Sequence, residues 1–308
     1  MARRHKGRPV NGWIVVDKPR GLTSTQVVAR VRRILSPRKI GHGGTLDPLA
    51  TGLLPIALGE ATKTVAYVMD APKAYRFTVC WGQATTTDDA EGEVVAESER
   101  RPAPAEIRAA LPRFVGEIAQ VPPTYSAVKV GGRRAYQKAR AHEPFELKAR
   151  PVEIYRLDLV DGGAPDQATF EAECGKGAYM RALARDLGRA LGTCAHVVAL
   201  RRTAVGPFTE AHAISLESLE ALGHSAAESG ALLPLETALD DIPALALTES
   251  EANRLRRGQA VSMLARVHRE RIREFANGDL VCATSGGRPV ALARYEAGDI
   301  RPVRVLNL

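Results

Sequence analysis

The chemically most distinctive segment of the chain is a glycine-rich turn that ends in an aspartate and a proline. It reads GHGGTLDP and occupies residues 41–48. Glycines allow backbone conformations and close approaches that side chains forbid, and a proline disfavours helical geometry at the residue before it. Asp47 is therefore expected in an extended or turn conformation, at the rim of the apolar run Leu53–Leu58. A carboxylate held there can act in a partly desolvated cleft, although an Asp-Pro pair after glycines is more often simple turn chemistry.

Two phosphate-binding interpretations of this turn fail on their spacing. The phosphate-loop pattern GxxxxGK[ST] is absent from the chain, and the dinucleotide fingerprint GxGxxG is broken because Leu46 stands at its third glycine. A nucleotide-binding metabolic enzyme is therefore disfavoured. The carboxylate of Asp47 remains as the group that could do chemistry.

A strand, a turn and a helix precede this segment and are expected to position it. The pattern predicts a buried strand over 11–17 and a turn over 18–21. Thr23 or Ser24 then caps a helix that continues to about Leu35, with valine, isoleucine and leucine on one face. Arginines and a lysine crowd the exposed side and the end of this helix.

The rest of the core alternates strands and helices without a regular βα repeat. Strands are predicted over 75–82, 92–96, 151–160, 167–174 and 197–203, and helices over 104–111 and 177–191. This order favours an α+β fold with a mixed, mainly antiparallel central sheet flanked by helices.

Two segments are expected to be additions to that core. Residues 121–150 combine a Pro-Pro pair and a Gly-Gly pair with a Lys/Arg-rich helical stretch, which favours a basic excursion that we call the thumb. After a boundary near Leu245, one helix and several short strands have the size of a small C-terminal β-barrel module. We therefore divide the chain into a catalytic domain, 1–244, and a module, 245–308.

The charge of the chain is +8 and is unevenly distributed. Residues 1–40 carry eleven Lys or Arg and a single acid, whereas residues 214–253 carry eight acids and no Lys or Arg. Residues 254–304 contain eleven arginines and five acids. Basic ends of this kind favour a polyanionic partner such as a nucleic acid, because each neutralised phosphate releases counterions.

The cysteines and the hydropathy predict a reduced, cytoplasmic protein. Cys80, Cys174, Cys194 and Cys282 lie far apart, with no CxxC pair and no Cys/His spacing of a zinc site. No apolar run approaches the roughly 18 residues that a membrane span needs, and the apolar stretch near the N-terminus is too short for a signal peptide.

Residues 41–63, GHGGTLDPLATGLLPIALGEATK, resemble the signature of the TruB-type pseudouridine synthases. Further matches follow in the order in which that family has them, and together they span roughly residues 11–205. They are DKPRGLTS (17–24), KAYR (73–76), PPTYSAVK (122–129), CGKGAYMR (174–181) and LRRT (200–203). Ala178 and Met180 depart from the family pattern, which has threonine and isoleucine there. The resemblance implies the pseudouridine synthase fold, a looser match to a PUA-type module at the C-terminus, and no metal or organic cofactor.

The resemblance also implies three catalytic residues. Asp47 would be the catalytic carboxylate, and Arg181 would hold it as an anion in a bidentate ion pair. Tyr75 would stack on the target base and accept or relay the C5 proton in the last step.

Six further residues are implied to bind the substrate. Tyr179 and Leu200 would form walls of the uracil pocket. His42 would occupy the space that a flipped base vacates, and Lys18 would contact the RNA backbone or support the site. The whole set is His42, Tyr179, Leu200, Lys18, Gly43 and Lys129.

The substrate that the resemblance implies is uridine 55 in the T loop of tRNA, flipped out of its stack before reaction. The T stem-loop of tRNA would be the partner, with no membrane and no obligate protein partner, and a monomer is expected. The atom that Asp47 attacks stays open between C1′, C6 and the C2′ proton. The alternative function is a non-catalytic tRNA-binding folding chaperone on the same scaffold.

Overall fold

The computed structural model describes residues 7–161, 164–265, 268 and 270–308. The first six residues of the basic N-terminal segment, and Arg266 and Arg269 of the arginine-rich C-terminal part, lie outside the described residues. The helices are α1 (Ser24–Leu35), α2 (Val65–Asp70), α3 (Pro104–Ala110), α4 (Ala135–Arg140), α5 (Met180–Ala190), α6 (Leu216–Leu222) and α7 (Glu249–Arg256).

The strands are β1 (Gly12–Lys18), β2 (Ile40–His42), β3 (Thr51–Leu58), β4 (Lys73–Trp81), β5 (Gln83–Thr85), β6 (Val94–Glu97), β7 (Gly116–Gln120), β8 (Lys129–Val130), β9 (Arg133–Arg134), β10 (Arg150–Asp161), β11 (Gln167–Cys174), β12 (Ala195–Val205), β13 (Phe208–Thr209), β14 (Ala213–Ser215), β15 (Ala244–Ala246), β16 (Val261–Ser262), β17 (Leu280–Ser285), β18 (Arg288–Glu296) and β19 (Asp299–Val305). Among the described residues, no helix is long and apolar enough to span a membrane.

A mixed sheet forms the centre of the larger part of the molecule. Its strand order is β14-β1-β3-β12-β4-β11-β10-β7, with β2 paired to β3 and β13 to β12. β14 runs parallel to β1, and β3 runs parallel to β12, whereas the remaining ladders of this sheet are antiparallel. The predicted α+β class with a mixed, mainly antiparallel central sheet is therefore confirmed.

Helix α5 covers one face of this sheet and forms the main core with it. Alternation along β11 buries every second residue on that face, and Phe170 stacks on Phe77 with 5.4 Å between ring centroids. Leu183 and Leu187 of α5 pack into the same cluster, which also contains Leu46 of the predicted catalytic turn, residues 41–48. The turn is thus anchored on the core, as its apolar surroundings predict.

Helix α1 covers another part of the sheet and is the predicted capped helix. Thr23 is its N-cap and forms a capping box with Gln26, and Ser36 ends the helix in the left-handed conformation. Val27 and Val31 are fully buried, where they pack on β1 and β3. The helix therefore links the strand β1 to the turn that contains Asp47.

Several predicted element bounds are wrong for local reasons. The helix predicted over 177–191 begins only at Met180, because Gly177 has φ +86° and Tyr179 is extended with φ −116°. The helical stretch of the thumb, expected over 133–140, begins at Ala135, since Arg133 and Arg134 pair with β8 as a short hairpin. The strand β7 was not predicted, because its apolar residues are few.

The thumb leaves the sheet between two residues that lie opposite each other. Gln120 ends β7 and pairs with Arg150, which begins β10. The chain between them forms the β8–β9 hairpin, whose turn glycines Gly131 and Gly132 have φ +59° and +83°, and then helix α4. This position makes residues 121–149 an insertion at the edge of the sheet.

The C-terminal residues form a second sheet, which curls into a half-barrel with the strand order β15-β17-β18-β19-β16. The small C-terminal β module is thereby confirmed, and the boundary expected after residue 244 falls within its first strand, β15. The half-barrel packs on the larger part, because Leu292 and Leu306 share a core cluster with Trp13 and Leu53. Lys63 also donates a hydrogen bond of 2.7 Å to the carbonyl oxygen of Val305.

Candidate active site

Residues 21–24, which end at the first residue of α1, hold the catalytic turn by hydrogen bonds. The Oγ of Ser24 accepts a hydrogen bond of 2.8 Å from the Leu46 N–H and donates one of 3.1 Å to the Leu46 carbonyl oxygen. The N–H of Gly21 donates to the Pro48 carbonyl oxygen at 2.8 Å. The residues on both sides of Asp47 are therefore fixed by hydrogen bonds to one short stretch of chain.

Lys18 lies beneath this turn and not on the RNA-accessible surface. It is fully buried, and its Nζ donates to the carbonyl oxygens of Pro19, Leu22 and Pro48 at 2.9, 2.7 and 3.3 Å. Burial lowers the pKa of Lys18 to about 8, while the charge of Asp47 opposes that shift. Since an ammonium has three donors, this geometry favours the supporting role over the alternative of a contact to the RNA backbone.

Asp47 forms an ion pair with Arg181 from α5. The Nε of Arg181 donates to Oδ2 of Asp47 at 2.9 Å, and the side chains are 3% and 38% exposed, respectively. The predicted bidentate fork is wrong, because the two Nη atoms donate elsewhere, to the carbonyl oxygens of Thr87 and Tyr125 at 2.7 and 2.9 Å. One guanidinium thus joins the catalytic turn, the loop after β5 and the base of the thumb.

A second carboxylate, which sequence reasoning missed, also faces Arg181. Asp89 is 4% exposed and its Oδ2 lies 3.5 Å from Nε of Arg181. Its Oδ1 accepts hydrogen bonds from the Thr87 hydroxyl at 2.5 Å and from the Glu91 N–H at 3.0 Å. The signal in the sequence was the acid- and threonine-rich composition of residues 85–89.

Tyr75 lies on β4, on the face of the sheet that α5 covers. It is opposite Ala172 of β11 on one side and opposite Arg202 of β12 on the other, and it packs against the core cluster that contains Leu46. Burial raises the pKa of Tyr75 above its usual value, and the guanidinium of Arg202 opposes that rise. Tyr75 therefore carries its phenolic proton at neutral pH.

Two family models match most of the chain. Residues 32–180 match the family described as TruB family pseudouridylate synthase (N terminal domain), and residues 181–240 match the tRNA pseudouridylate synthase B C-terminal domain. The chain belongs to the TruB family. Its enzymatic class, pseudouridine synthase, is thereby confirmed.

Two relatives match over the full length of this TruB-family chain. The tRNA pseudouridine synthase B of Rhodospirillum rubrum is 56% identical over 308 residues, with 100% of both chains covered. The protein of the same name from Caulobacter vibrioides is 56% identical over 309 residues, again with 100% of both chains covered. A solved H/ACA RNP bound to a substrate RNA containing 2′-deoxyuridine shares the fold, with a TM-score of 0.74, 24% identity and coverage of 100% of this chain and 92% of that chain.

Tyr179, predicted as a pocket wall, is held at the N-cap of α5 by a residue that sequence reasoning missed. The side-chain amide of Gln120 accepts a hydrogen bond of 2.9 Å from the Tyr179 N–H and donates one of 3.2 Å to its carbonyl oxygen. Gln120 is 1% exposed. The guanidinium of Arg150 lies over the Tyr179 ring, 5.7 Å from its centroid, so the base of the thumb fixes this ring.

His42 and Gly43 shape the turn before Asp47. Nδ1 of His42 accepts a hydrogen bond of 3.3 Å from the Gly44 N–H, and burial, assisted by the charge of Arg202, lowers the pKa of His42. His42 is therefore neutral at neutral pH. A Cβ on Gly43 would lie 2.5 Å from Cγ1 of Val68, and its N–H donates to the Pro55 carbonyl oxygen, so packing explains this glycine better than a substrate contact does.

The remaining predicted residues lie in different surroundings. Leu200 is 8% exposed and belongs to the same core cluster as Leu46. Lys129 is exposed on the β8 strand of the thumb. The structure thus brings Asp47, Tyr75, Arg181 and Leu200 to one face of the sheet, with Lys129 on the excursion outside it.

The carboxylate of Asp47 is partly exposed, with 38% of its side chain accessible. A cavity of about 470 Å³ is lined by residues that include Thr51 and Arg201, and a second cavity of about 300 Å³ by residues that include Glu171 and Arg201. Asp47 lines neither of these two cavities. Among the described residues, no group of three or more His, Cys, Asp or Glu is arranged to hold a metal ion. A partly exposed carboxylate can be reached by a large substrate.

Proposed function

We propose that this chain isomerises uridine 55 in the T loop of tRNA to pseudouridine and that Asp47 is its catalytic carboxylate. The names of the relatives from Rhodospirillum rubrum and Caulobacter vibrioides support tRNA as the substrate. The observation that carries the proposal is the partly exposed carboxylate of Asp47, paired with the buried guanidinium of Arg181.

The isomerisation breaks the N1–C1′ bond, turns the base and forms the C5–C1′ bond, with no net redox change. Asp47 must be ionised to attack C1′ or C6 or to remove the C2′ proton, and Arg181 stabilises that anion. The ion pair engages only Oδ2. Within the described residues Oδ1 accepts no hydrogen bond, which leaves it available to the substrate.

Tyr75 and Tyr179 would receive the flipped base. Tyr75 lies on the same face as Leu200 and carries a phenolic proton, so it can stack on uracil and relay the C5 proton in the last step. His42, as a neutral imidazole, would occupy the space that the base leaves. Unstacking the base costs a few kcal/mol, which contacts of the thumb, including Lys129, would offset.

Exposed basic residues at the end of α1 support an RNA partner. Arg32, Arg33, Arg38 and Lys39 are exposed around the end of α1, and they form no ion pair in the described part of the chain. We propose residues 1–244 as the catalytic domain and 245–308 as an RNA-binding module. The monomeric state and the cytoplasmic location are part of the same proposal.

The decisive measurement is tritium release from C5-labelled uridine in a T-loop RNA. The unsubstituted enzyme should release tritium from RNA with uridine 55 but not from RNA with cytidine at that position. Asp47→Asn should release none above background while tRNA binding stays within about tenfold, since only the reacting group has changed. Asp70→Asn, a change of a 62% exposed carboxylate, is the matched control and should behave like the unsubstituted enzyme. Release by Asp47→Asn would remove the catalytic role of Asp47.

A further inference from the structure

Arg202 is a buried cation for which the described residues provide no carboxylate partner. It is 2% exposed, and no carboxylate of the described residues lies within ion-pair distance. The other buried arginine, Arg181, has Asp47 and Asp89 at 2.9 and 3.5 Å. Because a buried charge without a partner is costly, the guanidinium of Arg202 must be held by other groups.

Those groups are backbone carbonyl oxygens of the catalytic turn and of β3. The Nε of Arg202 donates to Leu53 at 2.8 Å, Nη1 to Thr45 at 3.2 Å and Nη2 to Gly44 at 3.2 Å. Gly44 and Thr45 immediately precede the Leu46–Asp47 pair. The planar fork of arginine can engage both carbonyl groups and the strand at once, which the single nitrogen of a lysine cannot do.

The residue directly opposite Arg202 on the neighbouring strand is Tyr75. Tyr75 and Arg202 are directly opposite on β4 and β12, so their side chains leave the sheet on the same face. On its other side Arg202 pairs with Gly52 of β3, where a Cβ would lie 2.2 Å from the Arg202 carbonyl oxygen. The pairing with β3 on one side and β4 on the other thus fixes the position of Arg202 in the sheet.

We propose that Arg202 is a positioning residue that holds the catalytic turn and the Tyr75 phenol in one fixed arrangement, and that its charge adjusts proton transfer through Tyr75. The proposal rests on the role of Tyr75 given above. It assigns the guanidinium a task in the last step of the reaction, distinct from the support that Arg181 gives to Asp47.

The charged groups around Tyr75 are consistent with this task. Burial raises the pKa of Tyr75, and Arg202 of β12 lowers it through its charge, while Cys174 of β11 and Asp47 of the turn raise it. Lys73, two residues earlier on β4, donates its hydrogen bonds to the Met69 and Ala71 carbonyl oxygens. Arg202 is therefore the group that favours the phenolate.

The experiment compares Arg202→Met, Arg202→Lys and the control Arg201→Met in single-turnover assays across pH. The substrate is unfractionated tRNA from cells that lack this gene, labelled at C5, so the result does not depend on which uridine reacts. Arg201 neighbours Arg202 but points to the opposite face, where it pairs with Asp17 and Glu210. Circular dichroism and tRNA binding are measured for each variant.

Arg202→Met should lower the single-turnover rate at least about 100-fold with tRNA affinity within about threefold, in the range of missing acid–base assistance. A change of rate with pH that disappears in Tyr75→Phe is assigned to Tyr75. In Arg202→Met this change should occur at higher pH, because the positive charge is lost. In Arg202→Lys, which keeps the charge, it should occur at the same pH as in the unsubstituted enzyme. The single-turnover rate of the double variant Arg202→Met/Tyr75→Phe should lie within about tenfold of the rate of Tyr75→Phe alone, because the two residues act as a unit.

A loss that is uniform across pH and additive with Tyr75→Phe would overturn the proposal, since it would show that Arg202 only stabilises the fold. If Arg202→Met fails to fold, the rates of Arg202→Lys, Tyr75→Phe and their double variant are compared instead. Additive effects of these two substitutions on the rate would overturn the proposal in the same way. Failure of the proposed substrate would instead appear in the unsubstituted enzyme, as turnover that is independent of uridine 55.

Discussion

At the scale of single residues, the site is built largely from side chains that form hydrogen bonds to backbone groups. Ser24, Lys18 and Arg202 all bind peptide groups of the catalytic turn, whereas the carboxylate of Asp47 is bonded, among the described residues, only by Arg181. Sequence patterns could predict Asp47 because its motif is contiguous. They could not predict Arg202 or Asp89 as parts of the site, because the proximity of those residues depends on strand register and on the path of a loop.

Replacement of Ser24 by alanine should separate support of the turn from the chemistry itself. The Leu46 N–H and carbonyl oxygen would both be left without their partner, and a buried unsatisfied donor costs about 1–3 kcal/mol. We expect the free energy of unfolding in urea to fall by about that amount, and turnover to fall while tRNA affinity changes little. Ser225→Ala, at an exposed serine, is the control. Unchanged turnover in Ser24→Ala would mean that the turn keeps its shape without this clamp.

At the scale of elements, the sequence predicts those that local patterns determine and misses those that depend on pairing with distant strands. The capped helix α1 and the alternating strand β11 follow from spacing, and both agree with the structure. The strand β7 and the short hairpin of the thumb do not, because each is stabilised by its partner strand more than by its own composition. The start of α5 is set by the conformation of Tyr179, which Gln120 fixes from a distant part of the chain.

Removal of the thumb tip should leave the fold intact. Gln120 and Arg150 pair across β7 and β10, so a short Gly-Ser linker in place of residues 128–147 keeps the ladder and the hydrogen bond between Tyr125 and Arg181. We expect the circular dichroism spectrum and the thermal midpoint to be retained. Affinity for a T-loop RNA should fall at least about tenfold, because several basic residues are removed. Unchanged affinity would show that the thumb does not bind RNA.

Glu251 of helix α7 should make the thermal stability of the half-barrel depend on pH. Burial tends to raise the pKa of Glu251, but hydrogen bonds from Arg271 and Thr248 lower it to about 2. A carboxylate with a lowered pKa stabilises the fold above its unfolded pKa and loses this effect as the pH falls. Glu251→Gln should therefore lower the thermal midpoint at pH 7, and the difference from the unsubstituted chain should shrink between about pH 4.5 and 2. Glu228→Gln, at an exposed residue, serves as the control, and a difference that does not vary with pH would contradict the assignment.

At the scale of the whole molecule, the half-barrel and the catalytic part share a core. Leu292 and Leu306 pack with Trp13 and Leu53, and Lys63 bonds the last strand. Truncation near residue 245 would expose this apolar surface as well as remove arginines. A loss of activity after truncation could then come from misfolding, so substitutions of surface charge test the RNA-binding role more cleanly.

The arginines of the half-barrel strands β18 and β19 fall into two groups. Arg294 and Arg301 form ion pairs within the module, whereas Arg288 and Arg304 are exposed and form no ion pair in the described part of the chain. The second group is free to bind phosphate. We therefore expect Arg288 and Arg304 to contribute to tRNA binding in proportion to the phosphates that they neutralise.

The double variant Arg288→Gln/Arg304→Gln should weaken tRNA binding and flatten its salt dependence. Each phosphate that is no longer neutralised should reduce the slope of log affinity against log salt by about 0.7–0.9, so two such phosphates should reduce it by roughly twice that value. The control, Arg76→Gln/Arg156→Gln, removes the same charge from side chains that pair with Glu171 on the sheet face opposite Tyr75. Both variants are titrated with tRNA at several salt concentrations. Equal slopes for the two variants would mean that only net charge matters and that the half-barrel does not contact the RNA.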